Sequence, residues 1–145
     1  MLDKHVKLFL NGGTTNIELI ELAKDIHSYV YVKIPCICKD KTNQCSTNNT
    51  PINIIVNFND SDNNINGHGC LNFINDDQKV YYSSFGDPIP NQVKEFMMKV
   101  DDRKILSSNF QIQDFNTDTC RLYCNLILFL LNNTIKFEDI IIGIV

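Results

Sequence analysis

The segment from Thr119 to Leu131 reads Thr-Cys-Arg-Leu-Tyr-Cys-Asn-Leu-Ile-Leu-Phe-Leu-Leu, apolar on nearly every side of a helical wheel and broken only by Arg121 and Asn125. A helix of that kind cannot lie on a surface, so the rest of the chain has to supply walls around it. Its longest apolar run, the six residues Leu126 to Leu131, is far short of the roughly 20 needed to cross a bilayer. The expected surroundings are therefore protein and not lipid. Ahead of it, Asn116-Thr117-Asp118-Thr119 offers good N-cap side chains, which set the start of the helix near Cys120.

The remaining sequence supplies such walls. Thr15-Asn16-Ile17-Glu18 is a capping-box pattern, and Ile17, Ile20, Leu22, Ala23 and Ile26 continue it at helical spacing, predicting a helix from about Asn16 to His27. The β-rich Tyr29 to Ile34 ends at Pro35, and Lys39 to Pro51 is polar and turn-prone. Ile52 to Phe58, Gly67 to Ile74 and Lys79 to Tyr82 read as consecutive strands, the last two joined by Asn75-Asp76-Asp77. After Pro88-Ile89-Pro90-Asn91, the spacing of Val93, Phe96, Met97 and Val100 predicts an amphipathic helix. Phe110 to Gln113 is expected as one more strand, and Phe137 to Val145 as a final helix or an edge strand. With 145 residues and no internal repeat, residues 1–145 are expected to form one domain. The order of elements predicts an α+β fold, a small central mixed sheet flanked by helices.

Charge and cysteine content narrow the function classes. Thirteen basic against seventeen acidic residues leave a net charge of −4, without the concentrated positive field that binding to a phosphate backbone requires. Met1 to Leu10 mixes Asp3, Lys4, His5 and Lys7 into its apolar residues and does not resemble a secretory signal, so an intracellular protein with free thiols is expected. Cys36, Cys38 and Cys45 lack the paired spacing of a structural zinc site, Gly12-Gly13 is only a turn, and the Asn-x-Ser/Thr matches follow from an Asn-rich composition.

Two residues stand out chemically. Cys120 falls in the first turn of the most buried helix, where the positive end of the helix dipole and unpaired backbone N–H groups favour a thiolate. The plain alternative is that Cys120 and Cys124, four residues apart, are small apolar residues on a packed face. A cysteine nucleophile needs a nearby base, and His68, between Gly67 and Gly69 at the start of a strand, is a better candidate than His5 in the N-terminal arm or His27 on a surface helix. Gln113, seven residues before Cys120, could present its amide to an oxyanion or be a polar residue on a strand face.

Three blocks together resemble the adenovirus-type cysteine proteases, especially those encoded by Polinton or Maverick elements and related large DNA viruses. They are Ile54-Ile55-Val56-Asn57-Phe58 through the polar loop to Gly67-His68, then Val80-Tyr81-Tyr82-Ser83-Ser84-Phe85-Gly86-Asp87-Pro88-Ile89-Pro90, then Phe110-Gln111-Ile112-Gln113 with Asp118-Thr119-Cys120-Arg121-Leu122-Tyr123-Cys124. The resemblance covers roughly Asn16 to the C-terminus and implies a papain-like, adenain-like fold shared with the SUMO proteases. It also implies Cys120 as nucleophile, His68 as general base, and Gln113 with the Cys120 backbone N–H as oxyanion donors. No metal or organic cofactor is needed. The implied partners are polypeptide substrates, namely capsid or precursor proteins of a virus or virus-like element, and a viral activating peptide. The implied location is the host nucleus or viral factory, or the particle itself.

Three positions depart from the family pattern. Ser83 stands where the family has an acid or amide that orients the histidine. Gly69 stands where it has tryptophan, and Arg121 where it has glycine. A serine offers no charge to stabilise an imidazolium, and Asp60, Asp62, Asp76, Asp77 and Asp87 remain as groups that could reach His68 instead. Two other functions stay open at this point: a pseudoprotease kept as a binding or structural module, and a protease of ubiquitin-like modifiers.

Overall fold

A computed structural model describes Glu21, Lys24 and residues 36–44, 51–57, 68–112 and 120–144. Glu21 and Lys24 are helical and exposed; the rest of the helix expected at 16–27 and the strand expected at 29–34 lie outside the described residues.

The sheet follows from short β-branched runs bounded by turn chemistry. Strand β1 (Cys36–Cys38) leads into a 3-10 helix (Lys39–Gln44); β2 (Ile52–Asn57), β3 (Gly69–Ile74) and β4 (Lys79–Tyr82) follow. The four strands lie in sequence order, β1 parallel to β2 and the other neighbours antiparallel, so the sheet is mixed. The β3–β4 turn is built by one side chain, Asn75, whose Oδ1 accepts from the backbone N–H of Asp77 at 2.9 Å and of Gln78 at 2.7 Å.

Period-two alternation divides the core in two. Ile55, Leu71, Phe73, Val80 and Tyr82 face helices α2 (Cys120–Asn132) and α3 (Phe137–Ile144), whereas Ile52, Val56, Cys70, Ile74 and Tyr81 face Val93, Phe96 and Met97 of α1 (Asn91–Val100). Helix α2 is the enclosed one, with eight of its thirteen residues buried. Burial of its apolar surface between the sheet and α3 is the main force holding the described fold together. The architecture is therefore α+β, with helices on both faces of a small sheet.

Two expectations differ from the outcome. Cys36 to Cys38 form a strand where none was expected, because the edge of β2 offers backbone groups that they pair with in parallel. Residues 110–112 form no strand. The chain instead pairs earlier, at Leu106, whose N–H donates to Lys79 O at 2.8 Å and whose carbonyl accepts from Tyr81 N at 2.9 Å.

A charge also lies inside this fold. Lys79 on β4 is 2% exposed. Its Nζ donates to Asp101 O at 2.8 Å, Asp101 Oδ1 at 3.3 Å and Arg103 O at 3.2 Å. Arg103 in turn donates to Asp101 Oδ2 from Nη2 at 2.7 Å and from Nε at 3.1 Å, and to the carbonyls of Asn75 and Asp76 at 2.7 and 3.0 Å. The Asp101 carboxylate, held below its usual range chiefly by Arg103, thus ties the segment after α1 to the far turn of the sheet. Asp101→Ala leaves the buried ammonium with backbone carbonyls but no counter-charge and is expected to cost about 3 kcal/mol in urea denaturation, and adding Lys79→Met is expected to restore much of that loss.

Candidate active site

Helix α2 begins at Cys120, whose side of the helix packs on the start of β3. The contact is close because residue 69 has no side chain. A Cβ on Gly69 would sit 2.9 Å from Ile55 Cγ2 and 3.7 Å from Arg121 Cγ. With that space free, the Gly69 peptide lies between two sulfurs one helical turn apart: its N–H donates to Cys120 Sγ at 3.4 Å, and Cys124 Sγ–H donates to its carbonyl at 3.5 Å. An N–H aimed at sulfur is a contact that strengthens as negative charge develops there. Cys120 is 7% exposed and Cys124 fully buried.

His68 immediately precedes that peptide. The antiparallel register pairs Leu71 with Tyr82; continued past the strand ends, it brings Ser83 level with Cys70 and Phe85 level with His68. The side chains meet accordingly. His68 Nε2 lies 3.0 Å from Ser83 Oγ, and the Phe85 ring stacks on the imidazole with centroids 4.1 Å apart and planes 19° from parallel. A turn closed by Gly86 N–H donating to Ser83 O at 3.0 Å then brings back Asp87. Gly86 has φ +74°, and a Cβ there would lie 2.6 Å from Asn109 O, so both conformation and space require glycine. Asp87 Oδ2 stands 3.3 Å from Ser83 Oγ and 3.9 Å from His68 Nε2.

Burial holds the His68 imidazole below its ordinary value, with the Asp87 charge pulling the other way, so the ring is neutral at pH 7 and can accept a proton. Desolvation pushes the Cys70 thiol beside Ser83 up to about 12, which leaves it inert.

The structure thus gathers His68, Ser83 and the Gly69 contact with Cys120 at one end of β3. Gln113 and the capping cluster 116–119 lie outside the described residues. Of the aspartates left open by the sequence, Asp60 and Asp62 also lie outside them; Asp76 and Asp77 sit on the β3–β4 turn, past the far end of β3 from His68. Among the described aspartates, Asp87 is the one beside the imidazole. The stacking of Phe85 was not read from the sequence, although its place one residue before a glycine turn and opposite His68 in register was available as a signal. Among the described residues, no group of three or more His, Cys, Asp or Glu side chains gathers as a metal site, and no helix is long and apolar enough to cross a membrane.

No protein-family model, no curated protein and no solved structure matches this chain. Its candidate site is therefore read from its own geometry.

The tightness at Gly69 is open to measurement. Because Ile55 is β-branched and stiff, Gly69→Ala is expected to overpack the site and cost about 1–3 kcal/mol. Combined with Ile55→Ala, which removes the opposing methyl, the penalty should fall clearly below the sum of the two single changes, as read by a double-mutant cycle in denaturant.

Proposed function

We propose that this chain is a cysteine endopeptidase of the adenovirus-type class, acting on capsid or other precursor proteins of a virus or virus-like DNA element in the host cell or the particle. The observation that carries the reading is the join between α2 and β3: the Gly69 N–H on the sulfur of Cys120, at the first residue of a buried helix, with a neutral, hydrogen-bonded histidine as the preceding residue. The order of these residues along the chain supports the adenain-like form of the α+β fold in particular.

In this mechanism the neutral His68 takes the proton of Cys120 as the sulfur adds to the scissile carbonyl. The oxyanion of the tetrahedral intermediate is held by the Cys120 backbone N–H and by Gln113, the role the family resemblance gives it. Collapse expels the amine with the proton from His68 and leaves a thioester. Water, deprotonated by His68, then hydrolyses the thioester, releasing the acid and restoring the thiol. No metal or organic cofactor enters the sequence.

A second reading has an observation of its own. Cys120 is 7% exposed and the Arg121 stem crosses Gly69 beside it, a cover that suits a domain kept for binding better than one admitting a peptide.

The two readings separate in a cleavage assay on unfolded protein and peptide mixtures, with new termini mapped by mass spectrometry, alongside labelling by a peptide carrying a thiol-directed electrophile. The protease reading expects turnover that Cys120→Ala abolishes and His68→Ala lowers by at least about 10³-fold. Absence of both turnover and selective Cys120 labelling would favour the binding module, and turnover confined to ubiquitin-like tails would move the substrate class.

A further inference from the structure

Ser83 occupies the place where a histidine of such a pair would meet its acid, and a hydroxyl alone brings no charge. Its other neighbours change that. A hydroxyl has one proton to donate and two lone pairs with which to accept. A carboxylate only accepts, so across the 3.3 Å between Ser83 Oγ and Asp87 Oδ2 the proton belongs to serine. The single donor is thereby used. Across the 3.0 Å to His68 Nε2, Ser83 Oγ can then only accept, and it accepts also from the Asp87 backbone N–H at 3.4 Å.

The geometry points to a relay in which Asp87, acting through the Ser83 hydroxyl, fixes the proton of His68 on Nε2 and supplies the negative charge that an acid bonded directly to the ring would supply. The proposal rests on the protease reading for its catalytic consequence, but not for its hydrogen-bond chemistry. With Nε2 carrying the proton, the basic nitrogen of the neutral ring is Nδ1, the atom that must take the thiol proton. Asp87 is thus a positioning residue, and Ser83 is the group that touches the imidazole.

The rest of the setting bears this out physically. Ser83 is 1% exposed, so its hydroxyl is little contested by water and its dipole stays aligned between ring and carboxylate. At 3.9 Å the Asp87 carboxylate also acts on the ring directly through space. Phe85 covers one face of the imidazole and holds its plane. Of the titratable or charged groups on this end of the sheet, among the described residues, Cys70, two positions on along β3, and Tyr81 on β4 are both held protonated by burial, Arg121 on α2 stands by Gly69, and Asp87 is the charge that acts on the ring. Asp87 is the carboxylate in that set.

The test uses the whole chain with isotopically labelled histidine. Ring nitrogen and carbon shifts report the His68 tautomer, and titration reports its midpoint; cleavage of the best peptide substrate is followed in parallel. Wild type is expected to show the Nε2–H tautomer. Asp87→Asn removes a charge that favours imidazolium, so the midpoint should move to lower pH and kcat should fall by about tenfold at unchanged KM, far less than the roughly 10⁴-fold that follows loss of a directly bonded triad aspartate. Ser83→Ala should release the tautomer as well. The decisive variant is the double change Ser83→Asp with Asp87→Asn, which moves the carboxylate onto the ring: it should raise the midpoint to or above the wild-type value and recover turnover, while Asp87→Glu recovers part. A wild-type ring protonated on Nδ1, or a midpoint that Asp87→Asn leaves in place, would overturn the relay. If wild type cleaves nothing, the protease reading fails, and the tautomer and midpoint still decide the relay.

Discussion

The arrangement of this molecule depends on one peptide group. The backbone of Gly69 lies between the sulfurs of Cys120 and Cys124, donating to one and accepting from the other, and the first turns of α2 are seated on β3 through that grip. The contact requires that residue 69 carry no side chain, since Ile55 already fills the space. Once it is made, the residue before Gly69 and the residue at the head of α2 are neighbours, although they are 52 positions apart in the chain. The apolar surface of α2 supplies the energy that presses the two elements together, and the hydrogen bonds set where along the strand the helix lands.

That contact changes how the unusual positions read. In sequence, glycine in place of tryptophan at 69 and arginine in place of glycine at 121 are two separate departures from the proposed family. In space they belong together, because the Arg121 stem passes 3.7 Å from where a Cβ of residue 69 would be. Volume absent from the strand is present on the helix. Aromatic cover of the imidazole comes from Phe85 across the sheet. Ser83, the third departure, has Asp87 behind it. Each of the three positions thus has a neighbour that supplies volume, aromatic cover or charge beside it.

What the sequence made legible was whatever local chemistry decides. Strands β2, β3 and β4 and helix α1 were readable because β-branched runs, an Asn-led turn and a Pro-flanked amphipathic repeat each point to one state. The place of Cys120 at the start of a buried helix was readable from the cap residues ahead of it; His68 as its base belongs to the proposed mechanism. The less legible features are those that long-range pairing decides. Cys36–Cys38 follows a proline and looks like loop until β2 offers it an edge. Lys79 looks like a solvated strand residue until Asp101 and Arg103 arrive from beyond α1. Asp87 was one aspartate among five, and only the register of β3 with β4, and the Gly86 turn, bring it to His68.

Two cysteines of one helix, four residues apart and bonded to the same peptide, are proposed to differ in chemistry because one stands at the helix start, next to the peptide that follows His68. The most direct measurement is the rate of alkylation of each cysteine by iodoacetamide in the folded protein from pH 5 to 9, resolved by peptide mass spectrometry, in wild type and His68→Ala. Cys120 is expected to react well ahead of Cys124 and Cys70 at neutral pH, with a lead that collapses without His68. Equal rates at Cys120 and Cys124, or a Cys120 rate indifferent to His68, would contradict it.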